Sequence, residues 1–293
     1  MLINPPVVVG VDGSDTSKAA VAWAAQSAAL RDAPLQLVSA MAVPVAYAGG
    51  IGVPQSFFDA QQEEATRVLE EATKIAIETA GEGKLTVLTE RRNGSAIAGM
   101  LDWSEHARAI VLGSRGLGEV SGGLLGSVTS SVATHAACPV VVIREAAPVS
   151  ATAPVVVGVD GTRNSEPAIE AAFEEASFRG APLTAVHSWS DFPVVNPFGA
   201  EDEIPWDQIE TAEQAALSES LAGMQERFPD VAVTRVVVKD RPVQALFDAA
   251  TDAQLVVVGS RGRGGFRGML LGSTSRALLH SVDVPLMIVR DHR

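Results

Sequence analysis

Gly113–Ser127 reads GSRGLGEVSGGLLGS, and Gly259–Ser273 reads GSRGRGGFRGMLLGS. The second stretch repeats the first without a gap at an offset of 146 residues, sharing the opening Gly-Ser-Arg-Gly and the closing Leu-Leu-Gly-Ser. Each follows a β-branched apolar run, AIVLG or LVVVG, and each leads into a helical pattern, so each reads as the loop leaving a buried strand. A glycine loop in that position leaves backbone N–H groups bare and lets an anion approach the main chain. The helix start adds partial positive charge. The spacing is Gly, two residues, Gly, nine residues, Gly-Ser. In a single copy, glycines that merely turn a tight corner explain it as well; retention in both halves favours phosphate binding. The candidate phosphate contacts are Gly113, Ser114, Arg115, Gly116, Gly118, Gly126, Ser127 and Val128 in the first copy. In the second they are Gly259, Ser260, Arg261, Gly262, Arg263, Gly264, Gly272, Ser273 and Thr274.

Working outward, the same duplication covers the rest of the chain. Val7–Val11 is a continuous apolar run ending at Asp12, and its copy runs from Val155 to Asp160. Unbroken apolarity suits a parallel strand covered on both faces. Polar turns, GSDTS and GTRNS, then enter alanine-rich helices predicted over 17–31 and 165–179, with Ser14 or Thr16 and Thr162 or Asn164 as N-caps. Second strands LQLVSA and LTAVHS precede Pro/Gly-rich segments at 43–56 and 191–205. Long amphipathic helices follow at 57–80 and 206–227. Third strands KLTVLTERR and VAVTRVVVK, short helices at 95–104 and 243–250, the glycine-loop strands, further helices to about 137 and 281, and closing strands PVVVIR and PLMIVR complete each half. Each half is therefore β-α-β-α-β-α-β-α-β, which predicts an α/β fold of two doubly wound domains, each a five-stranded parallel sheet with helices on both faces. The boundaries fall at 1–147, a linker at 148–153, and 154–293.

Composition narrows the function classes. The net charge is −13, with 10 basic and 15 acidic residues up to 147 and 12 basic and 20 acidic after it. Two acidic halves argue against nucleic acid or an anionic membrane as partner. Cys138 is the only cysteine, so neither an internal disulfide nor a thiolate metal cluster is available. His106, His135, His187, His280 and His292 lack metal-ligand spacing. No basic, apolar leader precedes the first strand and no apolar run approaches 20 residues, so a reducing cytoplasm is expected.

The glycine-loop pattern, preceded by VVVGVDGS, resembles the nucleotide loop of the universal stress proteins, and the double copy resembles their tandem-domain members from actinobacteria. The likeness spans residues 7–144 and 155–290. It implies flavodoxin-like domains of strand order 3-2-1-4-5 that bind ATP, one per domain and with Mg²⁺ as possible companion, and that regulate stress response and growth. It also implies a homodimer formed through the closing strands and a regulatory protein partner that the sequence does not name. In the family the aspartate ending the first strand contacts the nucleoside, which would map to Asp12 and Asp160; the alternative is that they cap the next helix. Gly10 and Gly158 would let the adenine lie against the backbone. Residues ending the second strand line the base, mapping to Ala40 and Met41 and to Ser188 and Trp189, where Trp189 either stacks or belongs to the core.

Other nucleotide chemistries fit less well. VDGSDTS is not the G-x-G-x-x-G of a dinucleotide fold, and no lysine follows Gly126 or Gly272 as a Walker loop requires. No nucleophile elbow is present, so turnover beyond slow ATP hydrolysis is not expected. An ATP-pyrophosphatase or adenylyl-transfer relative would need a loop of SGGxDS type, which VDGSDTS matches only loosely. A nucleotide-free interaction scaffold is the third reading. Arg115 and Arg261 reach either phosphate or solvent, while Ser127 and Ser273 donate to phosphate, cap their helices, or both. Residues 113–127 carry Arg115 and Glu119, whereas 259–273 carry Arg261, Arg263 and Arg267. That difference predicts a second site that prefers triphosphate more strongly.

Overall fold

The computed structural model describes residues 4–41, 54–117, 125–144, 150, 152–189, 206–239, 241–263 and 270–291. The chain divides into two compact units, Met1–Ala146 and Ala147–Arg293. The first contains β1 (Val7–Gly10), α1 (Asp15–Ala29), β2 (Leu35–Met41), α2 (Gln55–Ala80), β3 (Val87–Asn93), α3 (Ala96–Ser104), β4 (Ala109–Gly113), α4 (Ser127–His135) and β5 (Val140–Ile143). The second contains β6 (Val155–Val159), a 3-10 turn at Arg163–Ser165, α5 (Glu166–Arg179), β7 (Leu183–Trp189), α6 (Trp206–Arg227), β8 (Val233–Lys239), α7 (Pro242–Ala250), β9 (Leu255–Gly259), α8 (Ser273–Ser281) and β10 (Leu286–Val289).

Within each unit the pairings are parallel, in the order β3-β2-β1-β4-β5 and β8-β7-β6-β9-β10. The continuous apolar runs occupy central strands, where Val8, Val9, Ile110 and Val111, and likewise Val155, Val156 and Val157, are fully buried. Both faces are covered by helices, so period-2 alternation is absent. Ala20, Ala24, Ala25 and Ala28 leave α1 no exposed surface on its inner face. On α2 the buried set Ala65, Val68, Leu69, Ala72 and Ala76 repeats at three and four, with a solvated face carrying Arg67–Glu64 (2.5 Å).

Element ends differ from the sequence expectation by one to three residues, with local causes. Strands β3 and β8 begin only after turns closed by Lys84 N–H to Gly81 O (3.2 Å) and Val231 N–H to Phe228 O (3.2 Å). Ser14, not Thr16, caps α1 by accepting from Ser17 N (3.3 Å). Thr162, not Asn164, holds the 3-10 turn that precedes α5, which starts at Glu166. The strand-one topology places the C-terminal ends of β1 and β4, and of β6 and β9, side by side, because β1 lies between β2 and β4 and β6 between β7 and β9.

Candidate functional site

Each candidate site is built from two turns at those adjacent strand ends. After β1 the chain reverses at Gly13 (φ +86°), and after β6 at Gly161 (φ +72°), a left-handed conformation that glycine adopts without cost. Asp12 Oδ1 accepts from Ser14 N (3.0 Å) and Ser14 Oγ (2.6 Å), and Asp160 Oδ1 accepts from Thr162 N and Oγ1 (both 2.8 Å). Neither aspartate caps a helix, so the capping alternative is corrected: the cap is Ser14 in one unit and Thr162 in the other. Each carboxylate is held by one oxygen, which leaves the second oxygen directed at the glycine loop. In the first unit Asp12 Oδ2 accepts from Leu117 N (3.1 Å). In the second, Asp160 Oδ2 is buried and meets no donor among the described residues.

The glycine loops close on themselves. Ser114 N donates to Ile143 O (2.7 Å) and Gly126 N to Ser114 O (2.8 Å); Ser260 N donates to Val289 O and Gly272 N to Ser260 O (both 2.7 Å). One turn into the helix, Thr129 Oγ1 donates to Gly113 O (2.7 Å) and Ser275 Oγ to Gly259 O (2.6 Å). These buried hydroxyls stand two residues after each Gly-Ser pair, and their recurrence in both copies was a signal the sequence reading passed over. A Cβ on Gly116 would lie 2.5 Å from Asp12 Oδ2, and one on Gly262 3.2 Å from Asp160 Oδ2. The middle glycines therefore let the loop sit against the aspartate.

Helices α4 and α8 follow Gly126 and Gly272, and neither glycine offers a side-chain cap. Ser127 and Ser273 are the first helical residues rather than the caps, which leaves donation to phosphate of the two roles the sequence allowed. The first intrahelical bonds reach Gly126 O from Ser130 N (2.8 Å) and Gly272 O from Arg276 N (3.0 Å), which leaves the amides of Ser127 and Val128, and of Ser273 and Thr274, ahead of the ladder. Both closing glycines have ordinary extended angles, φ −60° and −68°. Gly272 packs against the loop start, where a Cβ would sit 3.4 Å from Ser260 O.

Several expected contacts fall elsewhere. The missing Cβ of Gly10 points at Leu112 Cδ2 (2.7 Å) and Met100 Sδ (3.3 Å), and that of Gly158 at Leu246 and Val258. The space of each missing side chain is bordered by core side chains. Gly113 serves the approach of α1, since a Cβ there would lie 2.7 Å from the Thr16 carbonyl carbon, and Gly259 has a looser version of the same contact, 3.3 Å from Asn164 O. Trp189 is 5% exposed, with the Lys239 ammonium 5.9 Å from its ring, so it belongs to the core. Ala40 and Ser188 are half-buried at the ends of β2 and β7, while Arg115 and Arg261 are exposed. Gly118, Glu119, Gly264 and Arg267 lie outside the described residues.

The two sites differ most around Arg263. Its Nε donates to Asp160 O, and its Nη2 lies 3.4 Å from Glu213 Oε2 on α6. Glu213 Oε2 also accepts from His187 Nε2 (2.8 Å), while His187 Nδ1 faces Val159 O (2.8 Å). His187 is fully buried. Its two ring nitrogens both face oxygens, and Arg263 Nη2 lies 3.4 Å from Nε2. Burial raises the Glu213 pKa, but the hydrogen bond from His187 and the Arg263 charge outweigh it and hold the carboxyl below its usual range. In the first unit, Val68 Cγ2 lies nearest to a Cβ on Gly13, where Arg263 Nη2 does for Gly161. Arg263 is thus held by Asp160 O and Glu213, while Arg261 stays exposed.

A family model described as "Universal stress protein family" matches residues 4–144 and 152–290. The chain belongs to the universal stress protein family. Among relatives of this universal stress protein, Universal stress protein Rv2005c of Mycobacterium tuberculosis is 45% identical over 288 residues, covering 97% of this chain and 96% of its own. A Mycolicibacterium smegmatis universal stress protein is 43% identical over the same shares. The fold is also that of a crystallised universal stress protein from Archaeoglobus fulgidus, with a TM-score of 0.72 at 21% identity over 97% of this chain and 98% of that one.

Proposed function

We propose that each unit of this universal stress protein binds one adenine nucleotide, and that occupancy, rather than turnover, is the signal it passes to a regulatory partner. The observation that carries this reading is Asp160 Oδ2, a buried carboxylate oxygen that meets no donor among the described residues, facing a glycine loop that ends in a helix start without a side-chain cap among them. A buried acceptor without a partner costs about 1–3 kcal/mol, which a ribose hydroxyl or an adenine amine recovers on binding. Phosphates then lie against the amides of Ser127, Val128, Ser273 and Thr274, where the helix dipole favours negative charge. Ligand bound only to the folded state stabilises it by RT ln(1 + [L]/Kd), enough to order a loop without chemistry.

Among the described residues no group of three His, Cys, Asp or Glu side chains is placed to hold a metal. Mg²⁺ accordingly belongs to this proposal as a companion of the ATP phosphates. No helix among the described residues is long and apolar enough to cross a membrane. Self-association through β5 and β10 is part of the same proposal, and sedimentation velocity checks it: a monomer at all concentrations removes that part.

Calorimetric titration of ATP tests the site. Gly126→Val together with Gly272→Val should abolish binding in a folded protein, by filling the backbone approach. Asp12→Ala and Asp160→Ala should each weaken binding by about 1.5–3 kcal/mol, the scale of a hydrogen bond to a charged acceptor. Unchanged affinity in the double glycine variant refutes the site, and an untouched wild-type protein at millimolar ATP leaves the scaffold reading.

A further inference from the structure

The arginine that turns away from the second loop leaves its place to another. Strand β10 pairs with β9 in a register that sets Val289 opposite Gly259, and Ser260 N donates to Val289 O (2.7 Å). Arg290 follows Val289 and Arg261 follows Ser260, so the two arginines leave adjacent parallel strand ends together. Arg290 Nη2 is shielded from solvent and meets no acceptor among the described residues. Arg261 is exposed. Gly272, which starts α8, packs on the same spot: a Cβ there would lie 3.4 Å from Ser260 O and 3.5 Å from the Arg261 Cα.

A guanidinium is costly to leave in this state. It carries five donors and cannot shed its charge in the physiological range, so a shielded N–H without an acceptor is a standing penalty. Burial, and then the neighbouring Arg261 charge, both press the Arg290 pKa downward. The open amides of Ser273 and Thr274 add the positive end of α8 beside them. Arg261, Arg290 and the α8 start thus follow neighbouring strand ends, and planar, multidentate donors fit a phosphoryl group.

We propose that Arg261 and Arg290 form a phosphoryl-oxyanion site beside the α8 start, which grips the distal phosphate of a nucleoside polyphosphate. This rests on the nucleotide reading above and adds to it a residue outside the glycine loop. It also adds, from outside the glycine loop, to the expected preference of the second site for triphosphate.

The test titrates ATP, AMP and tripolyphosphate into the full chain and into Arg290→Met, Arg290→Lys and Arg261→Ala, with thermal melting of each ligand-free variant. Arg290→Met should lower ATP affinity at one of the two sites by about tenfold or more, the loss that follows from one charge-assisted hydrogen bond. AMP affinity should hold within about twofold, and Arg290→Lys should recover part of the loss. Because Arg290→Met removes an unpartnered buried donor, the ligand-free protein should melt no lower than wild type. Equal losses for ATP and AMP, no loss for ATP, or a lower melting temperature with unchanged affinities each overturn the proposal. If the wild type binds no nucleotide at all, the nucleotide reading fails by itself. Tripolyphosphate binding that Arg290→Met weakens about tenfold then keeps the oxyanion site as one for free polyphosphate, and its absence overturns that as well.

Discussion

Replacing Glu213 by alanine should destabilise the second unit and leave the first unchanged. One oxygen, Oε2, accepts from the fully buried His187 at 2.8 Å and lies 3.4 Å from Arg263 Nη2. The bond to His187 is charge-assisted and worth about 1.5–3 kcal/mol. The Arg263 contact is long and the arginine side chain is 44% exposed, so it contributes only about 0.2–1 kcal/mol. The expected loss is therefore roughly 2–4 kcal/mol. For a unit of this size that lowers the midpoint of thermal unfolding by roughly 4–16 °C. Glu213→Gln keeps an acceptor oxygen without the charge and should fall between the two. Glu213 titrates below its ordinary range in the folded state, so its contribution is present above the usual carboxylate pKa, about 4.3, and is lost as the pH falls through the lower folded value. The stability of Glu213→Gln should accordingly fall less steeply than that of wild type on acidification. Urea unfolding read by hydrogen-exchange mass spectrometry separates the two units and makes the first an internal control. A change in the second unit under about 0.5 kcal/mol, or an equal change in both, would show that His187 and Arg263 find other partners at no cost.

Two further perturbations test the packing. Gly113→Ala would set a Cβ 2.7 Å from the Thr16 carbonyl carbon and 2.8 Å from Ser17 N, both backbone atoms, and should cost about 1–3 kcal/mol in the first unit. The matching Gly259→Ala meets oxygens at 3.1 and 3.3 Å and should cost less than about 1 kcal/mol in the second, so denaturant midpoints that rank the pair the other way contradict the close-approach account. Phe173→Ala removes a fully buried ring stacked 5.9 Å from Phe228 and should cost about 3–5 kcal/mol, measured by the same unfolding; a loss under 1 kcal/mol would mean that α5 repacks.

Much of this protein was legible in its sequence because the relevant physics is local and was written twice. Continuous Val runs require strands covered on both faces, alanine-rich segments require helices packed closely on them, and a glycine loop between the two leaves bare amides wherever it occurs. Strand number and element order followed from those patterns, and so did the expectation of where a site lies. Sequence spacing does not state which atom a side chain meets, and there the tertiary structure decided. The aspartates pointed to a site, but only the meeting of β1 with β4 and of β6 with β9 showed that they brace the turn with one oxygen and present the other to the loop. Gly10 and Gly158 sit beside those aspartates in the chain, yet the neighbours that need their missing side chains are Leu112 and Met100 in one unit and Leu246 and Val258 in the other. Trp189 lies beneath Lys239 in the core. His187, Glu213 and Arg263 are up to 76 residues apart and belong to a strand, a helix and a loop, so no local pattern connects them. Arg290 reads in the sequence as the polar end of a closing strand. Its register beside Ser260 and Arg261, and the shielding of its guanidinium, exist only once the sheet has formed.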